Sequence, residues 1–324
     1  MSSGFYIITT KEFIGLYKMK YLSLFTGIGG FELGIHQAFK SSAECIGFSE
    51  VDKNAMKVYQ SHFPSHPPLG DVRQIDFHQF TGKVDLIVGG SPCQDLSQMN
   101  LKRQGLSGNK SKLIEVMFDA IRIVKPKYFL LENVNSMTQA NKDIISAALG
   151  VQPVMINACF FGAQNRKRLC WCDFPLPTPT VDNRTALVDI LDPKEDVVEL
   201  EHSEKAIAWI KKPYNGSTRL HHYGQLSTRH KSKTILASYQ GVPNNVLHDL
   251  RFCPPLIRRF SMGELEELQG FPRGWVQGRV GKCASAKCLG NAVNAQVSTY
   301  IFANFYNHYL HANVMTGGQL CSSR

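Results

Sequence analysis

None of the nine cysteines in this 324-residue chain belongs to a Cys-x-x-Cys pair, which removes the commonest zinc and dithiol motifs. The closest pairs, Cys170 with Cys172 and Cys283 with Cys288, have poor ligand spacing, so no metal site is expected. A secretory leader pattern is also lacking, and unpaired thiols then read as reduced cysteines of a soluble, cytoplasmic protein. No apolar run approaches the roughly 20 residues needed to span a bilayer, which excludes a helical membrane anchor. Internal repeats and low-complexity tracts are absent, and with them the solenoid and disordered classes.

Acidic residues are the scarce charge. Against 36 Lys and Arg stand 26 Asp and Glu, a net charge of +10 that favours an anionic partner such as nucleic acid. The imbalance is local: between Lys205 and Arg259 ten Lys or Arg face the single acid Asp249. A solvated basic surface is the plain alternative.

Hydrophobic periodicity orders the rest. Tyr21 to Phe25 reads as a strand, followed by Phe31, Ile35, Ala38 and Phe39 at helical spacing. A second strand, Cys45 to Phe48, precedes a helix carrying Ala55, Val58 and Tyr59. The alternation runs on through a strand at Asp85 to Val88, a helix from Leu113 to Val124 and a strand at Tyr128 to Leu131. A helix near Ile144 to Leu149 and strands near Val154 and Leu169 complete it. This pattern predicts a doubly wound, Rossmann-like α/β fold whose ligands bind beyond the carboxyl ends of the strands. After Phe174 the prolines 175, 177 and 179 read as a linker, and regular alternation is lost until helical spacing returns at Val293 to Phe305. The expected organisation is an N-terminal extension at 1–18, a first domain of 19–175 and 287–324, and a second, smaller domain at 176–286.

Gly89-Gly90-Ser91-Pro92-Cys93-Gln94 ends the third strand abruptly and offers one thiol to the cleft. There a thiolate suits nucleophilic attack, whereas a buried apolar cysteine would be inert. Phe25-Thr26-Gly27-Ile28-Gly29-Gly30 follows the first strand and opens the first helix, bringing backbone amides close to a ligand. Glu32 occupies the third glycine position of the dinucleotide fingerprint, which argues against a nicotinamide dehydrogenase. Glu50, ending the second strand, suits ribose hydroxyls, and Asp71 suits an adenine amine; a helix cap or a solvated loop is the alternative for either. Glu132, at an apolar strand end, tends toward its neutral form and then donates to a ring nitrogen. Arg166, Lys167 and Arg168 supply cations beside the next strand.

Six stretches in order resemble the motifs of DNA cytosine-5 methyltransferases: Phe25 to Gly30, Ser91 to Gln94, Glu132-Asn133-Val134, Gln164-x-Arg166-x-Arg168, Leu268 to Pro272 and Gly290 to Val293. Ala163 to Arg168 and the short second domain look most like the phage, prophage or restriction-modification type. The resemblance implies S-adenosylmethionine as donor, leaving as S-adenosylhomocysteine, bound by Phe25, Gly27, Ile28, Gly30, Glu50, Val51, Asp71, Val72 and Pro92, with Leu113, Asn291 and Ala292 closing the pocket. It implies that Cys93 adds to carbon 6 of a cytosine rotated out of double-stranded DNA. Glu132 would hold ring nitrogen 3 and the exocyclic amine, and Arg168 the base oxygen, with Arg166 alongside. The segment Asp95 to Lys112 would close over the site, and the basic second domain would recognise the target at a specific short sequence. Arg258 resembles the arginine that opens the motif organising that domain. A monomer suffices for this chemistry, and an orphan enzyme and one paired with a cognate restriction endonuclease are both compatible with the sequence. Met262 and the Ala163-Gln164 junction depart from the usual family pattern, which has proline at each place, and the loop from Gly162 is one residue short. A transfer RNA cytosine methyltransferase and an inactive DNA-binding regulator are the competing readings; the basic insert opposes the first and intact Cys93, Glu132 and Arg168 the second.

Overall fold

The structure, a computed structural model, describes residues 18–91, 113–220, 230–237 and 245–320. Its centre is a six-stranded sheet of β1 (Met19–Leu24), β2 (Ala43–Ser49), β3 (Leu86–Gly89), β4 (Tyr128–Val134), β5 (Val154–Asn157) and β6 (Lys167–Cys172), in the order β2-β1-β3-β4-β6-β5. β2, β1, β3 and β4 run parallel, and β6 pairs antiparallel with both β4 and β5. The strand order reverses at β1, which has β2 on one side and β3 on the other, and such a switch point opens a crevice at the carboxyl edge. Burial on both faces accounts for runs such as Leu86-Ile87-Val88, each fully buried, which alternation alone would not mark as a strand.

Helix α1 (Gly30–Phe39) follows β1, and α2 (Lys53–His62) follows β2. The Asp52 carboxylate accepts from the backbone amides of Asn54 and Ala55, which fixes the start of α2. α3 (Leu113–Val124) packs Ile114, Met117, Ala120 and Val124 against the sheet, and α4 (Gln139–Leu149) is capped by Thr138. The chain returns through α7 (Lys282–Asn291) to α8 (Ala295–Leu320), which packs on α1; Gly34 makes room there for Ser298. Between lie the short helices α5 (Glu204–Ile210) and α6 (Met262–Leu268) and two small hairpins, β7 (Pro213–Tyr214) with β8 (Ser217–Thr218) and β9 (Val246–Asp249) with β10 (Leu256–Arg259).

Two features were not expected. β4 runs on through Glu132, Asn133 and Val134, because β6 pairs with it as far as Val134 opposite Arg168. The middle stretch also divides in its packing: Leu187, Ile190, Phe260, Leu265, Leu268, Phe271 and Trp275 share the core that holds Tyr21 and Phe31, whereas Ile210, Leu220, Val246 and Ile257 form a separate small cluster. None of the described helices is long and apolar enough to cross a membrane.

Candidate active site

The carboxyl ends of β1 to β4 open onto one cavity of about 540 Å³, within the roughly 300–1,000 Å³ of small-molecule sites. Its wall includes Phe25, Gly27 and Ile28 after β1, Glu50 and Val51 after β2, Asp71 and Val72, Gly90 and Ser91 after β3, and Glu132 on β4. Arg166, Arg168, Leu113, Asn291 and Ala292 complete the set that the sequence singles out. Gly30 stands behind the wall instead; a Cβ there would come within 2.7 Å of the Val293 carbonyl oxygen, so the glycine lets two backbones meet. Pro92, Cys93 and the segment Asp95 to Lys112 lie outside the described residues.

The turn after β1 is held by Glu50. One carboxylate oxygen accepts from the Gly27 amide at 2.8 Å, and the other from the amides of Val51 and Asp52 at 2.7 and 2.8 Å. A carboxylate has about four acceptor positions, so one remains for a hydroxyl. Val51 presents an apolar side chain that is 63% exposed, a ready surface for a flat ring. Asp71 lies on the same wall and is also a cap: it accepts from the Arg73 amide, and the Arg73 guanidinium holds it below the usual carboxylate range. Lys287 of α7 closes this side with an ion pair to Asp52 at 2.6 Å. Trp275, from the middle stretch, donates its indole N–H to the Ile28 carbonyl beneath the same turn and stacks on His62. Backbone amides, a carboxylate and an exposed apolar face together fit a nucleoside-bearing cofactor.

On the other side Glu132 and Arg168 meet because of strand register. Glu132 pairs with Cys170 and Val134 with Arg168, so the two side chains are diagonal neighbours on one face of the antiparallel pair. Arg168 Nε is 2.9 Å from Glu132 Oε1, yet Oε1 accepts no aligned hydrogen bond, which leaves it for a ligand. Burial pushes the Glu132 carboxyl up against the opposing pull of Arg168 and Arg166, so the acid form is within reach. Arg166 lines the same cavity while its guanidinium donates to the carbonyls of Ile235, Gly290 and Ala292. The sequence reading gave Asn133 no role. Its side-chain amide donates to the Ser91 hydroxyl and carbonyl at 3.1 and 3.3 Å, which anchors the chain two residues before Cys93. Only its place beside Glu132 in a recognised triplet pointed to it.

A family model described as C-5 cytosine-specific DNA methylase matches residues 19–307. The chain is 30% identical over 310 residues to the type II methyltransferase M1.ScrFI of Lactococcus lactis subsp. cremoris, covering 85% of this chain and 75% of that protein. It is also 30% identical over 297 residues to the type II methyltransferase M.NlaX of Neisseria lactamica, covering 85% and 92%. Among solved structures, the Entamoeba histolytica methyltransferase EhMeth shares the fold with a TM-score of 0.71 at 15% identity, over 90% of this chain and 99% of that one.

Proposed function

This chain belongs to the C-5 cytosine-specific DNA methylases and is a DNA cytosine-5 methyltransferase, and from that premise we propose that it acts through a covalent bond between Cys93 and a cytosine turned out of duplex DNA. The observation that carries this reading is the convergence on one cavity of Glu132, Arg168 and Ser91 with Phe25, Gly27, Glu50 and Asp71. Carbon 6 of a stacked cytosine is closed to a thiol, so the base must leave the helix first. The Cys93 thiolate adds to carbon 6 while Glu132, favoured in its acid form by burial, donates to ring nitrogen 3. Electron density thereby gathers at carbon 5. S-adenosylmethionine, when bound, supplies an electrophilic methyl group to that carbon. A solvent water takes the carbon 5 proton, the thiolate leaves carbon 6, and ring nitrogen 3 returns its proton to Glu132, which restores the neutral ring. Arg168 holds the base oxygen.

Phe25, Gly27, Ile28, Glu50, Val51, Asp71 and Val72 hold the donor, with Leu113, Asn291 and Ala292 closing over it and Gly30 and Pro92 shaping its surroundings. Residues 19–175 with 287–324 are the catalytic domain and 176–286 the target-recognition domain. The enzyme works on DNA in the bacterial cytoplasm as a monomer, at one short sequence, either as an orphan or beside a restriction endonuclease of matching specificity.

Bisulfite sequencing of DNA from cells expressing wild type or Cys93→Ser tests this reading. Wild type should leave 5-methylcytosine in one sequence context, and the variant should leave none while still retarding duplex DNA in a gel. Normal methylation by the variant would overturn the assignment.

A further inference from the structure

Glu266 of α6 is fully buried and stands two residues before the Leu268 to Pro272 stretch, in no motif of the sequence. Its carboxylate accepts from main-chain amides: Oε2 from Gly274 at 2.6 Å, and Oε1 from Val276 and Gln277 at 2.7 and 3.3 Å. A buried carboxylate needs such donors, so residues 274–277 are folded around it. They carry Trp275. Its indole donates to the Ile28 carbonyl at 2.9 Å, its ring lies 3.5 Å from that of His62, and His62 Nε2 donates to its carbonyl at 2.8 Å. Arg279 ties the same loop to α2, donating to the Gly274 carbonyl and to the Ser61 hydroxyl, both at 2.6 Å.

The turn that Trp275 reaches needs holding. Phe25, Gly27 and Gly29 have φ of 59°, 58° and 90°, and a phenylalanine enters that left-handed region at a cost its surroundings must offset. Glu50 holds the Gly27 amide from one side, and Trp275 holds the Ile28 carbonyl from the other. We infer that Glu266 is a positioning residue for the methyl donor: by folding 274–277 it aims the Trp275 indole at Ile28 and so fixes the turn on which the donor rests. The inference rests on the proposed reading of Phe25, Gly27 and Ile28 as donor-holding residues. Glu266 is not part of the cavity wall, so its influence travels through Trp275.

The test is titration calorimetry with S-adenosylhomocysteine on wild type, Trp275→Phe, Glu266→Gln and the double variant. Phenylalanine keeps a ring on His62 but loses the N–H, and glutamine keeps the size of Glu266 while its amide nitrogen cannot accept. Binding should weaken about fivefold or more in Trp275→Phe and about threefold or more in Glu266→Gln. The double variant should stay within about twofold of the weaker single, because both changes cut one path, whereas independent effects would multiply to about fifteenfold. Affinity for duplex DNA, measured on the same samples, should stay within about twofold of wild type, which separates loss of the turn from general loss of structure. Multiplying losses, an equal loss of DNA affinity, or a Trp275→Phe protein with wild-type binding overturns the inference. A wild type that binds no S-adenosylhomocysteine overturns it together with the donor-site reading, and that failure is told apart because no variant is needed to see it.

Discussion

Glu32 shows how one side chain carries the dependence of this fold on acidity. It fills a place where nucleotide-binding turns often have glycine, and it is fully buried among Ser23 and Tyr21 of β1, Cys45 of β2 and Tyr59 of α2. Neither carboxyl oxygen has an aligned partner, and burial raises its pKa from 4.5 to about 7. A carboxyl with a raised native pKa binds its proton more tightly in the folded state. Its contribution is therefore complete below pH 4.5 and lost as pH rises through about 7. The shift corresponds to about 3 kcal/mol. In thermal melts, Glu32→Gln should gain on wild type steadily between pH 5 and 8, by several degrees at the upper end; parallel curves would refute this.

At the level of elements, the β9–β10 hairpin is locked to α6 by Arg258, which is fully buried. Its guanidinium donates to Asp249 at 2.9 Å and to both oxygens of Glu264 at 2.8 Å. Arg258→Met would leave buried Glu264 without its cation and Asp249 with Arg251 alone, at a cost of about 3–5 kcal/mol. Urea unfolding should show a markedly lower midpoint, and an unchanged midpoint would show that the site relaxes around the loss. The sequence named Arg258 as the opening of an organising motif but not its partners, because Asp249 and Glu264 become its neighbours only once hairpin and helix pack. The same distinction holds elsewhere. Ends of parallel strands were legible from short apolar runs stopped by turn residues, so Phe25, Glu50 and Gly90 were placed correctly beside the crevice. The extension of β4 to Val134 was not, since it depends on an antiparallel partner more than thirty positions away. Nor was the aim of Arg166, whose acceptors are main-chain carbonyls that carry no mark in the sequence.

Over the whole molecule, charge and architecture tell partly different stories. Of the ten cations between Lys205 and Arg259, Lys231, Arg251 and Arg258 form internal ion pairs, so composition overstates what is available to phosphate. Lys205, Lys211 and Lys212 are exposed. DNA affinity measured by fluorescence anisotropy should fall with salt along a log–log slope of about −3 to −6, shallower than the roughly −9 of ten phosphate contacts. A flat response would remove DNA from the partners of this surface. The indole of Trp275 reaches from the middle stretch to the carbonyl under the turn after β1, whereas Trp171 is sealed in the core against Ser146 and Trp209 stands outside under Arg219. Of the chain's three tryptophans, one is thus bonded to a turn that lines the cavity, and its emission should shift when a ligand arrives, with no attached dye needed.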